Sequence, residues 1–228
     1  RYEQFGGPKK DEKNAMAYMK KAAEKNHLAA MVNYAEWLFN GFAGLKNYVE
    51  STKYYKKAAD MSHDPILQFR CGIIHIEGIG LPQKDLKTAA NYIKMAADQN
   101  LPNAAEAMGY LYQEGIGVKQ SPEDALKYFK KGSELGYAQS MASYGHYVQN
   151  GIGGAKKDEK EAVKLYQKGA DLKNPTCMYN LALLYATGTG VQENEENAIK
   201  YLKMASDLDF EPAKELLKSL KLDEKKKK

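Results

Sequence analysis

The sequence predicts an all-α fold built as an α/α solenoid of antiparallel helix pairs, and three observations carry that prediction. A short helical pattern recurs six times, a capping residue precedes each copy at a fixed offset, and a glycine-bearing turn closes a second helix upstream. The pattern is anchored on Ala15, Ser51, Ala89, Ala125, Ala162 and Ala198, at spacings of 36, 38, 36, 37 and 36 residues. Three residues on stand Tyr18, Tyr54, Tyr92, Tyr128, Leu165 and Tyr201, followed by Met19, Tyr55, Ile93, Phe129, Tyr166 and Leu202. Seven on come Ala22, Ala58, Ala96, Gly132, Gly169 and Ala205, each with a small residue after it. Positions so spaced trace one stripe of a 3.6-residue helix. One such unit cannot bury its stripe alone, so successive copies must stack, which leans the chain towards presenting a long binding surface.

The elements follow in order. Four residues before each anchor stand Asp11, Asn47, Asp85, Ser121, Asp158 and Asn194, all good N-caps for the orphan amides of a first turn. Ser121-Pro122 adds proline at the first helical position. These capped B helices are expected near 11–25, 48–61, 84–98, 121–135, 158–172 and 194–208. The A helices between them are expected near 28–40, 65–77, 102–114, 138–150, 175–187 and 211–220. Four open on Pro65, Pro102, Pro175 and Pro212, and five end at the glycines of Gly41-Phe42-Ala43-Gly44, Gly78-Ile79-Gly80, Gly115-Ile116-Gly117, Gly151-Ile152-Gly153 and Gly188-Thr189-Gly190. Tyr2 to Gly7 matches Tyr112 to Gly117, so the chain is expected to start within an A helix, with more repeats or another domain upstream. The array is assigned to 1–222, about five full helix pairs plus partial repeats, and the Lys-rich tail 223–228 is expected to be disordered.

Composition excludes several function classes. The hydrophobic content of 43% suits a stacked core and not disorder, and no apolar run is long enough to span a bilayer. Of the net charge of +5, four units belong to Lys225 to Lys228, which leaves +1 on residues 1–224, and the only arginines are Arg1 and Arg70. That balance argues against nucleic acid as a partner. Cys71 and Cys177 lie about three repeats apart, too far for a disulfide in a stacked array, so a reducing, cytoplasmic setting is expected.

The Leu-Ala-x-x-Tyr helix Leu181-Ala182-Leu183-Leu184-Tyr185 with its Gly188 to Val191 turn carries a family resemblance. So does Met108-Gly109-Tyr110-Leu111-Tyr112, and each B helix closes on Ala-x-x-Tyr-x-x-x-Ala-Ala or a variant of it. Together they resemble the Sel1-like repeat (SLR) family, relatives of tetratricopeptide repeats. Tetratricopeptide units run to about 34 residues, and the extra residues here fall in the Gly-x-Gly turn. The resemblance implies a right-handed α/α superhelix, A helices lining a concave groove, and a non-enzymatic scaffold or adaptor that binds a peptide or partner protein there. The alternative it leaves open is a regulatory arm of a larger enzyme such as a kinase. A secreted branch of the family staples each repeat with a disulfide, and two cysteines are too few for that.

Catalysis and metal binding find no support in the residues. His27, His63, His75 and His146 lack a His or Cys at zinc-site spacing. His27 and His63 share an inter-repeat loop position suited to capping, and His75 and Cys71 fall in core columns. The Gly-x-Gly turns follow helices and recur once per repeat, so they are turns and not phosphate loops. No catalytic residue, metal ligand or cofactor is assigned.

The A-helix face that changes from copy to copy is the candidate site. It reads Ala29, Asn33, Glu36, Asn40; then Ile66, Arg70, Ile73, Glu77; then Asn103, Ala107, Tyr110, Glu114. The next two copies give Gln139, Ser143, His146, Asn150 and Thr176, Asn180, Leu183, Thr187. Amides mixed with apolar anchors suit an extended peptide. The expected contacts are Asn33, Arg70, Ile73, Tyr110, His146, Asn180 and Leu183. Ile73 and Leu183 fit packing against a neighbouring A helix equally well.

Overall fold

The computed structural model describes residues 9–226, and every regular element among them is helical. In order these are α1 (Lys9–Glu24), α2 (Leu28–Asn40), α3 (Tyr48–Ser62), α4 (Pro65–Glu77), α5 (Leu86–Asp98), α6 (Pro102–Glu114), α7 (Pro122–Glu134), α8 (Ala138–Asn150), α9 (Glu159–Asp171), α10 (Pro175–Thr187), α11 (Glu195–Asp207) and α12 (Glu211–Lys226). Short 3-10 turns follow α2 and α8 at Phe42–Gly44 and Ile152–Gly154. The helices pack as sequential antiparallel pairs, as expected of an α/α solenoid. Even-numbered helices are the A helices of the sequence pattern, and odd-numbered ones the B helices.

The predicted punctuation is seen directly. Asn47, Asp85, Ser121, Asp158 and Asn194 each accept a backbone amide three residues on, at 2.9 to 3.1 Å. His27 caps α2, its Nδ1 accepting from the Ala30 amide at 3.4 Å. Asp11 is a correction: α1 already includes Lys9, so Asp11 lies in its first turn, where a carboxylate favours the helix dipole instead of capping. The match of Tyr2 to Gly7 with an A helix falls outside the described residues. At the other end the α12 backbone stays helical to Lys226, past the boundary expected at 220 and into the segment expected to be disordered. Lys227 and Lys228 fall outside the described residues.

The second glycine of each Gly-x-Gly turn has a packing reason as well as a conformational one. Gly80 and Gly117 have φ of +65° and +69°, and a Cβ on either would collide with the backbone carbonyl of Tyr48 or Leu86. Those are the first residues of α3 and α5, so each turn seats on the start of the preceding B helix. In the degenerate copy Ala43 takes the same left-handed conformation at φ 54°.

The chain divides into two compact units, one running to Leu101 and including Ile116–Val118, the other holding Pro102–Gly115 and the chain from Lys119. Each has its own core. In the first, Met31, Tyr34, Tyr55, Ala59 and Cys71 are buried; in the second, Tyr166, Cys177, Leu181 and Ala205. The stripe tyrosines pair with A-helix rings in both: Tyr92 with His75 at 5.7 Å, Tyr128 with Tyr112 at 5.7 Å, and Tyr201 with Tyr185 at 5.9 Å. Tyr18 departs from its stripe at 72% exposure; the residue at the same offset before it, Tyr2, is outside the described residues. His75 is the packed core histidine expected, with Nδ1 2.7 Å from the Cys71 carbonyl.

Candidate functional site

In the first unit, α2 and α4 lie side by side with a cavity of about 440 Å³ on their variable face. Its floor is apolar, formed by Phe39, Phe69, Ile73 and Ile79, and Ile66 at its edge is 63% exposed. Its polar lining is Glu36 and Asn40 from α2, with Arg70 and Glu77 from α4. The offsets of one helix stripe set this arrangement, since Ile66, Arg70, Ile73 and Glu77 share a face. Tyr55 of α3 reaches the cavity from beneath, and its hydroxyl accepts from Arg70 Nη1 at 2.5 Å. The Arg70 guanidinium also lies over the Tyr55 ring, 4.9 Å from its centroid. Burial pushes the Tyr55 phenol above its ordinary pKa, with the Arg70 charge opposing.

In the second unit the corresponding face runs along α6, α8 and α10. Tyr110 is 52% exposed, while Tyr112 supplies the ring that stacks on Tyr128. His146 is exposed and tied to Asn150, whose Nδ2 donates to the His146 carbonyl at 2.8 Å and sits 3.2 Å from Nδ1. Leu183 is exposed and Asn180 is half-buried, while the Tyr166 hydroxyl beneath this face donates to Gln149 Oε1 at 3.0 Å. Between α6 and α8, Glu106 accepts from Ser140 Oγ at 2.6 Å and Ser143 Oγ at 2.7 Å. Burial holds the Glu106 carboxyl above the usual carboxylate range, with the two serine bonds opposing. Asn103 Oδ1, at the start of α6, is buried without a hydrogen-bond partner.

Five of the seven expected contacts, Asn33, Arg70, Tyr110, His146 and Leu183, are exposed, and Asn180 and Ile73 are half-buried, Ile73 within the cavity lining. Arg70 and Ile73 are brought together there. Asn33 is exposed on α2 but does not line the cavity, and Tyr110, His146, Asn180 and Leu183 belong to the second unit. Part of the variability on this face has a packing cause. Arg70 and Asn180 occupy equivalent positions over Tyr55 and Tyr166 of the B helix below; Arg70 donates to the Tyr55 hydroxyl, whereas the Tyr166 hydroxyl donates to Gln149. Where that B-helix residue is Ile93 or Phe129, which has no hydroxyl, the A helix carries Ala107 or Ser143.

Sequence reasoning missed Phe39, Phe69 and Ile79 in the lining. A signal existed for Phe69: its column reads Val32, Phe69, Glu106, Ala142 and Tyr179, as variable as the face that was chosen. Both cysteines are buried and free, and burial pushes each thiol up to about 12. Among the described residues no group of three or more His, Cys, Asp or Glu is placed to hold a metal, and no helix is long and apolar enough to cross a membrane.

The Sel1 repeat profile matches residues 2–27, 28–63, 65–101, 102–137, 138–174 and 175–210. The chain is similar to chitin synthase regulatory factor 2 of Schizosaccharomyces pombe, 24% identical over 206 residues, covering 86% of this chain and 40% of that protein. It is also similar to protein sel-1 homolog 2 of Homo sapiens, 31% identical over 122 residues, covering 54% of this chain and 17% of that protein. It therefore spans less than half the length of either relative. Among solved structures it resembles a Sel1 repeat protein from Oxalobacter formigenes, with a TM-score of 0.77 and 29% identity over 87% of this chain and 80% of that one.

Proposed function

The chain belongs to the Sel1 repeat family, and we propose that it works as a non-enzymatic interaction scaffold that binds a peptide or partner protein along its A helices. The observation that carries this reading is the α2–α4 cavity, apolar at its floor and ringed by amide and charged groups. That composition is what a docking surface for side chains and backbone requires. The exposed Tyr110 adds an aromatic anchor of the kind that dominates binding energy. The name of the fission-yeast relative, a regulatory factor of an enzyme, supports an auxiliary role of the same kind.

The test is affinity capture from native lysate with the wild-type chain beside Ile73→Ser and Tyr110→Ser variants, with circular dichroism to confirm folding. Loss of a retained protein from either folded variant supports binding through the A helices. Retention of the same proteins by both would move the contacts to the B helices and overturn the reading.

A further inference from the structure

Resting on that reading, we propose that the α2–α4 groove takes a cationic peptide segment, with one large apolar side chain in the cavity and a lysine or arginine beside it reaching Glu36 or Glu77. The cavity of about 440 Å³ lies within the size range of ligand pockets. Phe39, Phe69 and Ile73 give it an apolar floor, so an apolar side chain is the anchor it accepts. Glu36 and Glu77 supply the charge, and none of the described cations forms an ion pair with either. The one cation in the lining, Arg70, is turned onto the ring and hydroxyl of Tyr55 and is part of the wall.

The wider composition points the same way. The A helices α2, α4, α6, α8 and α10 contain no lysine and only one arginine, against the carboxylates Glu36, Glu77, Glu106 and Glu114. Every B helix carries at least two lysines. Lysines return in the last A helix, α12, at Lys214 and Lys218; along α2 and α4, like-charge repulsion from Glu36 and Glu77 would act against an acidic segment. Asn40 at the rim offers an amide to pair with a peptide backbone.

The experiment is selection of a displayed random peptide library on the wild-type chain, on Ile73→Ser, and on the double variant Glu36→Gln/Glu77→Gln, each checked for helicity. Peptides enriched on the wild type are expected to carry lysine or arginine next to a large apolar residue. A synthetic peptide from that pool should bind the double variant roughly three- to ten-fold more weakly, the range two exposed charge pairs supply, and should weaken similarly in high salt. Enriched peptides with acidic or neutral flanks, or equal affinity for the double variant, would overturn the charge assignment while leaving the groove as a binding site. Enrichment no greater on the wild type than on Ile73→Ser would overturn the groove itself, and the scaffold reading at this position with it.

Discussion

The step from α2 to α4 and the step from α6 to α8 occupy equivalent positions in their repeats and are held by different chemistry. Between α2 and α4, Val32 faces a step where α4 supplies Leu67 and Arg70, and an apolar cavity lies alongside. At the same positions between α6 and α8 stand Glu106, Ser140 and Ser143, and two hydrogen bonds cross the step. The A helices of both steps are 13 residues long. A repeat scaffold therefore leaves each step free to be either a groove or a clamp, and three side chains decide which. The same freedom lets equivalent A-helix steps hold an open cavity or a hydrogen-bond network without a change of fold.

The largest effect that sharpens this contrast lies under the clamp. Phe129 is fully buried, meets Tyr147 edge-on at 5.2 Å, and fills the space above Gly109, where a Cβ would stand 2.5 Å from its ring. Phe129→Ala should lower unfolding free energy by about 3–5 kcal/mol in urea titration; a loss under about 1 kcal/mol would mean the second unit repacks around the void. Next comes the clamp itself. Ser140 is buried completely, so Ser140→Ala leaves the Glu106 carboxylate with one partner and should cost about 1–3 kcal/mol in the same titration. An unchanged midpoint would show that the step does not depend on this bond.

Beneath the groove the expected effect is smaller. Tyr55→Phe keeps the packing and removes only the acceptor for Arg70, which remains exposed to water, so the expected cost is about 1 kcal/mol. A loss as large as that of Phe129→Ala would make Arg70 and Tyr55 a structural clamp like the one in the second unit and erase the contrast. The smallest effect is a pH dependence. Because the folded Glu106 carboxyl sits above its unfolded value, the native state holds the proton more tightly than the unfolded chain. Its contribution to stability is complete below the unfolded value of about 4.3 and falls as pH rises through the folded value. Glu106→Gln should lack that fall, so the variant gains on the wild type between acid and neutral pH in paired urea titrations. A difference that stays flat, or runs the other way, would remove the burial penalty from Glu106.

Much of the fold is legible in the sequence because the punctuation is local. The five A helices from 28 to 187 end where the glycines and prolines said they would, since a left-handed C-cap and a proline first turn act within a few residues. Each of the five later B helices starts one residue after its capping side chain, whereas in α1, the first, an earlier start took Asp11 into the helix. The site was legible only in part. The changing face includes Arg70 and Ile73 of the cavity lining and the exposed Tyr110, but variability alone does not mark binding. At Arg70 some of that variability answers the Tyr55 hydroxyl rising from the helix below.

From α2 to α11, period, helix boundaries, caps and the stripe that must be buried were thus determined by the sequence alone, because each depends on residues within one or two turns of one another. Tertiary structure decided which side chains from separate helices meet: Arg70 on Tyr55, Ser140 and Ser143 on Glu106, and the turn glycines on the first residues of α3 and α5. Those pairings join residues from 15 to 37 positions apart, beyond the reach of any local propensity. They arise only when stacking brings neighbouring repeats to packing distance, where a hydroxyl must find a partner and a glycine must leave room for a carbonyl.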